Sequence, residues 1–222
     1  MNEWWTYDIA DLVLFTPGTY FRLFELYHRD WWPVQLACLA MAAVILLCLR
    51  LKSNRGNRVI AILLAASWAW VGWVFLHLRF APIHWIANWY AVAFFLQALL
   101  LFIYGVSRRG MKFESGNTLR ARIGVFVLLG ALLAMPATAL ITGREWMQTE
   151  LFAMTPDATA LATLGLLLLT TDRAAAWLVV IPVAWCFITG ATLWALEAPE
   201  AMILPVCAVL TIALMLLPAK RR

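Results

Sequence analysis

The stretch Ile123-Gly-Val-Phe-Val-Leu-Leu-Gly-Ala-Leu-Leu133 is apolar at every position. A membrane-barrel strand alternates apolar and polar residues over about ten positions, and this run does not alternate. A helix satisfies its own backbone hydrogen bonds, which hydrocarbon requires. The apolar run extends over 123–142, close to the ~20 residues that cross ~30 Å of hydrocarbon as a helix. Six further runs have the same character, at 33–51, 59–79, 86–106, 156–171, 174–196 and 201–218. The sequence therefore predicts an all-α, polytopic membrane helix bundle with seven transmembrane helices.

Composition agrees. Of 222 residues, 64% are hydrophobic and 13% are charged, whereas soluble domains carry roughly 45–50% and 25%. A soluble fold of this size must cover itself with polar groups. Soluble enzymes, disordered chains and disulfide-built secreted modules are thus excluded as main readings. Cys38, Cys48, Cys186 and Cys207 all lie in apolar runs and form no CxxC pair, which fits plain packing.

Charge sets the orientation. The run 156–171 is short, about 24 Å at 1.5 Å per residue, although Thr155 and Pro156 signal a helix start. If it crosses, 13 of the 17 Lys and Arg fall on one side, in 50–58, 107–122, 172–173 and the tail Lys220-Arg221-Arg222. Arg22, Arg29, Arg79 and Arg144 remain opposite, with ten of the 12 acids. The positive-inside rule then places the N-terminus outside and the C-terminus in the cytoplasm. The net charge of +5 is accounted for by this pattern, and nucleic acid is not an expected partner.

Residues 1–32 differ from the rest and are read as an amphipathic, interfacial helical cap on the seven-helix domain 33–222. Thr16-Pro17 starts a helix to about Asp30. Tyr20, Phe24, Tyr27 and Trp31 form an aromatic stripe, and Glu25 can reach Arg29 at i, i+4. Asp8 and Asp11 lie one turn apart before it.

The spans hold almost nothing ionisable. Arg50, Arg79 and Asp157 sit at span ends, where snorkelling is easy, and Ser67 and Gln97 have helix–helix hydrogen bonding as their plain role. Polar chemistry collects outside, including all three histidines, and eight of the 13 tryptophans belong there too. Indole faces bind cations and also anchor proteins at membrane interfaces. Trp70 and Trp73 share a helix face at i, i+3, with His77 further along it. The candidate ligand-binding residues are Asp8, Asp11, Arg22, Glu25, His28, Trp70, His77, Arg79, His84, Asn88 and Gln97. Acids and Arg would hold a polar or ionic group, and indoles an apolar part. No cofactor is expected. A divalent metal at His28, His77 and His84 is the variant reading, since His and carboxylates form that ligand set, but the spacing is not diagnostic.

The segments Asn2-Glu-Trp-Trp-Thr-Tyr7, Asp11-Leu-Val-Leu-Phe-Thr-Pro17 and Thr19-Tyr-Phe-Arg-Leu-Phe-Glu-Leu-Tyr27 resemble the start of an uncharacterised bacterial membrane-protein family, a domain of unknown function often labelled as a major-facilitator permease. The resemblance implies a multi-pass protein of the bacterial inner membrane and brings no catalytic residues. Seven runs depart from the two six-helix halves of that superfamily. The expectation is a protein that binds or transports a small ligand through a periplasm-facing site, with the lipid bilayer and a small ligand or another membrane subunit as partners. A membrane-embedded metal- or lipid-dependent enzyme, or a structural subunit of a membrane complex, is the alternative.

Overall fold

The structure, a computed structural model, describes residues 15–106, 111–113, 118–170 and 173–216, the side chains of 173–175 excepted. Among these, regular structure is helical, with one isolated bridge between Phe113 and Thr170. Asp8, Asp11, Trp4, Trp5 and the basic C-terminal tail lie outside the described residues.

Helix α1 spans Pro17–Asp30. The Thr16 hydroxyl accepts the Thr19 amide and Pro17 opens the first turn, as the sequence predicts. Its aromatic stripe is the buried face, with Tyr20, Phe24 and Tyr27 inside and Trp31 half-buried. The helix lies against residues 71–80 and 146–148, so it caps the bundle.

The bundle follows the apolar runs. Helix α2 is Val34–Leu51. Helix α3 is Asn54–Trp70 and continues as a π-helix over Val71–Phe80. Helix α4 is Ala87–Val106. Helix α5, Leu119–Leu129, passes through a π-helical stretch, Gly130–Ala134, into α6, Met135–Ile141. Helix α7 is Pro156–Leu168. Helix α8, Val180–Ala195, is entered through a 3-10 segment, Arg173–Val179, and α9 is Ile203–Leu216. Five stretches are long and apolar enough to cross a membrane: Val34–Leu51, Asn54–Phe80, Ala87–Val106, Leu119–Ile141 and Ala176–Ala195. The apolar helices α7 and α9 are shorter. The second span begins before its apolar run, because Ser53 caps it through the Gly56 amide at 2.9 Å. Arg55 and Arg58 then occupy its first turns and hide the start.

Successive helices run antiparallel. Gly105, late in α4, meets Ala61, early in α3, while Gly72 meets Phe94. Arg120 at the start of α5 donates to the Leu167 carbonyl at the end of α7. Two chemically different ends result. One gathers Arg50, Lys52, Arg55, Arg58, Lys112, Arg120 and Arg122. The other gathers Glu25, Asp30, Glu145, Glu150, Asp157, Glu197 and Glu200, with four arginines. The exposed indoles of Trp32, Trp85, Trp89, Trp146 and Trp194 ring this acidic end. Leu36, Leu47, Phe126, Leu133 and Val206 turn outward along the helices, an apolar sheath suited to lipid.

Helix α7 is the axis. Every residue from 152 to 170 is buried, and α7 touches α3, α5, α8 and α9. A helix apolar nearly all round is a core helix. Its few polar groups each hold a neighbour: Trp68 of α3 donates to the Thr163 hydroxyl at 2.8 Å, and Asp157 accepts from α8. In an apolar medium such bonds join helices. Small residues let α5 approach: a methyl on Gly165 would lie 2.6 Å from the Leu128 nitrogen. Overpacking of this kind costs roughly 1–3 kcal/mol. Gly165→Ala is therefore expected to lower the melting temperature of the detergent-purified protein by several degrees. Gly130→Ala, whose added methyl meets open space, should leave it within error of the parent.

Candidate functional site

The acidic end is built in two layers. The outer layer is a clamp on α1, and it accounts for five of the sequence-predicted residues. Arg79 pairs with Asp30. Trp70 donates its indole N–H to the Tyr27 hydroxyl at 2.9 Å and packs edge-on to Trp31. Glu25 pairs with Arg22, one turn before it, rather than with Arg29, and takes a 3.4 Å bond from Gln148.

His28 is the most enclosed part of the clamp. The Gln35 amide nitrogen faces His28 Nδ1 at 3.2 Å and donates to the His28 carbonyl at 2.7 Å. Because that nitrogen can only donate, Nδ1 is the acceptor. Nε2 then carries the proton and donates to the Thr149 carbonyl at 3.0 Å. Both ring nitrogens are engaged by protein. Burial lowers the His28 pKa below histidine's ordinary range, consistent with a neutral ring.

Of the remaining predicted residues within the described part, His77 and Asn88 meet each other, while His84 and Gln97 have other neighbours. His77 stacks on Trp73 at 4.8 Å and its Nδ1 meets Asn88 Oδ1 at 2.8 Å, both side chains exposed. Trp70 and Trp73 do not share a face, contrary to the sequence reading. The chain turns π-helical at Val71, and the wider i→i+5 turn breaks the i, i+3 register. His84 sits among Phe15, Phe80 and Tyr90, and burial lowers its pKa. Gln97 is fully buried and donates to the Leu178 carbonyl at 2.9 Å, the helix-joining role. Among the described residues, no group of three His, Cys, Asp or Glu side chains could hold a metal ion.

The inner layer went unnoticed in the sequence. Asp157 is not at a snorkelling end: its exposure is 0%. Its Oδ1 accepts from Trp185 Nε1 at 2.6 Å and from the Thr189 hydroxyl at 2.9 Å. Glu150 is 3% exposed and Glu200 is 7% exposed. Arg144 pairs with Glu200, donates through Nε to Thr142 at 2.8 Å, and lies 4.0 Å over the Phe21 ring. Removing either member of such a buried pair leaves a lone charge, a loss of about 3–5 kcal/mol. Asp157 Oδ2, Glu150 Oε2, Glu200 Oε2 and Arg144 Nη1 have no hydrogen-bond partner among the described residues. Burial, and then the nearby Asp157, push the Glu150 carboxyl well above the usual carboxylate range. The Tyr20 phenol, at the same place, is pushed up by burial and by the facing Asp157 and Glu150.

The loop carrying Glu150 to Asp157 is tightly shaped. Ala153 is buried with φ +65°, a conformation costing a non-glycine residue on the order of 1–3 kcal/mol. Its amide donates to the Thr159 hydroxyl at 3.0 Å, and that hydroxyl donates to the Thr155 carbonyl at 2.7 Å. Thr155 holds the N-cap position, as predicted, but its hydroxyl turns back to the Leu151 carbonyl. The signal for this layer was present. Snorkelling belongs to the long stems of Lys and Arg. An aspartate has no such reach, so Asp157 in an apolar run already required partners inside.

The clamp titrates with a definite sign. The folded-state pKa of His28 lies below its unfolded value of about 6.5. The unfolded chain therefore binds more protons in that window, and stability falls with falling pH. Protection factors of the amides in residues 17–30, the intrinsic exchange rate at each pH divided by the observed rate, are expected to fall as pH drops from 7.5 through 6.5 and below. His28→Gln should remove most of that acid sensitivity.

No curated protein and no solved structure matches the chain. A family model does, over residues 18–222. The resemblance noted at the N-terminus thus holds for nearly the whole length, and the chain belongs to DUF6064, a family of unknown function.

Proposed function

We propose that the chain crosses the bacterial inner membrane seven times, with its N-terminus outside and its C-terminus in the cytoplasm. At its outward end it binds or transports a small, positively charged ligand. Two features support the crossings. Basic residues gather at one end of the bundle and acids at the other, as the positive-inside rule asks. Helix α7, about 20 Å long at 1.5 Å per residue, crosses within protein, because the buried stretch 152–170 surrounds it with other helices. A helix shielded in this way need not match the hydrocarbon thickness.

One observation carries the ligand reading. Three buried carboxylates, Glu150, Asp157 and Glu200, gather at this end with one buried guanidinium, Arg144, which pairs with Glu200, and each keeps an oxygen with no hydrogen-bond partner among the described residues. Isolated buried anions are costly, so the cluster favours a cation. The rings of Tyr20, Phe21 and Trp185 lie beside it, and ring faces attract cations. In this reading Asp157 and Glu150 hold the charge, while Arg144 holds Glu200 in place. The clamp residues set access by fixing α1 over residues 146–149. Intramembrane and near-membrane acids of this kind mark ion and substrate routes.

Trp185 donates to Asp157, so occupancy should alter indole emission. Titrations of the purified protein with ammonium, methylammonium and tetramethylammonium are expected to give a saturable change in tryptophan fluorescence for at least one of them. Asp157→Asn should abolish it. A flat response to all three, or an equal response in Asp157→Asn, would contradict the reading.

A further inference from the structure

The inner layer does not treat its three carboxylates alike. Glu200 receives the Arg144 guanidinium. Asp157 receives two neutral donors, Trp185 and Thr189, on one oxygen. Hydrogen bonds of this kind favour the ionised form. Glu150 Oε2 receives no donor from the described residues, although the side chain is more than nine-tenths buried. Among the described residues, the charged and titratable groups facing Glu150 are Asp157, Arg144 and Glu200, and Tyr20 of α1 faces the same cluster. Three ionised carboxylates against one guanidinium would leave two uncompensated negative charges in a buried place. Like charges at close quarters in low dielectric do not both ionise. The donor pattern selects which group yields: Glu150 is the carboxyl left without support for its anion.

We propose that Glu150 is a proton-binding site, holding one exchangeable proton against the ionised Asp157 at the acidic end of the bundle. The ligand is H⁺ itself. The proton resides on the Glu150 carboxyl, and its loss leaves Glu150 and Asp157 as an anionic pair able to take a monovalent cation in its place. Proton and cation are then alternatives at one site, which is the chemistry of exchange. Access is set next door. Thr149, the residue before Glu150, accepts the His28 N–H, so α1 is tied to the loop that carries the carboxyl. The inference deepens the outward-site reading and rests on it for the cation half only.

Infrared spectroscopy tests the proton half on the full chain in an ester-free detergent. At pH 7 the protein is expected to show a protonated-carboxyl C=O band. The band should shift when the protein is made with ¹³C-carboxyl glutamate and stay in place with ¹³C-carboxyl aspartate. It should be lost in Glu150→Gln and retained in Glu145→Gln, an exposed acid at the same end. The labelled wild-type protein gives the answer even if Glu150→Gln does not fold. Absence of the band, a shift with labelled aspartate alone, or persistence in a folded Glu150→Gln would overturn the proposal. If the band is present while the fluorescence titrations are flat, the ligand reading fails and the proton site stands.

Discussion

A carboxylate on a helix with no exposed side chain is the constraint on which the acidic end depends. Asp157 opens α7, and α7 is enclosed by α3, α5, α8 and α9. The negative charge is favoured at a helix N-terminus, yet burial must still be offset by donors. Trp185 and Thr189 supply them, which fixes the register of α8 against α7. The approach to Asp157 must then fold inside the protein as well. That explains a loop whose backbone bonds close on Thr155 and Thr159, and which tolerates a left-handed alanine at position 153. Glu150 and Glu200 follow this loop and the α8–α9 turn inward, and Arg144 comes with them.

The clamp on α1 is the second consequence. An aromatic helix lying over a charged cluster excludes water from it. Tyr20 and Phe21 touch the inner layer, while Trp70, Arg79 and His28 secure the outer face. The neutral His28 ring joins the cap to the loop that bears Glu150. Packing, hydrogen bonding and charge are therefore connected across three segments distant in sequence. A bundle that served only to pack would gain by replacing the inner carboxylates with apolar residues, because buried ion pairs seldom add net stability. Their presence at one end, beneath the α1 cap, is the physical basis for reading that end as the working one.

Much of the fold was legible because apolar runs and membrane-length helices obey the same arithmetic. The run boundaries fall within a few residues of the helices, except where Arg55 and Arg58 mask the start of α3. The cap was legible because Thr16-Pro17 and the aromatic stripe are local signals. The site was legible only in region. His28, Arg79 and Trp70 do sit at the acidic end, but their geometry is that of a clamp, which depends on contacts with Thr149, Asp30 and Tyr27. Such long-range partners leave no mark in spacing. The π-helical turn at Val71 is equally silent in sequence, and it separates Trp70 from Trp73. The inner layer was obscured by an argument misapplied to Asp157, whose short side chain cannot reach water from an apolar run.

The orientation of the two ends is the claim on which the functional reading turns, and it can be measured in living cells. Cysteines would be placed at Glu145, exposed at the acidic end, and at Lys112, exposed at the basic end. A membrane-impermeant maleimide would then be applied to intact spheroplasts. The proposed arrangement requires labelling of Glu145→Cys from outside and of Lys112→Cys only after lysis. Labelling of Lys112→Cys from outside, with Glu145→Cys protected until lysis, would put the acid cluster in the cytoplasm and contradict an outward-facing site.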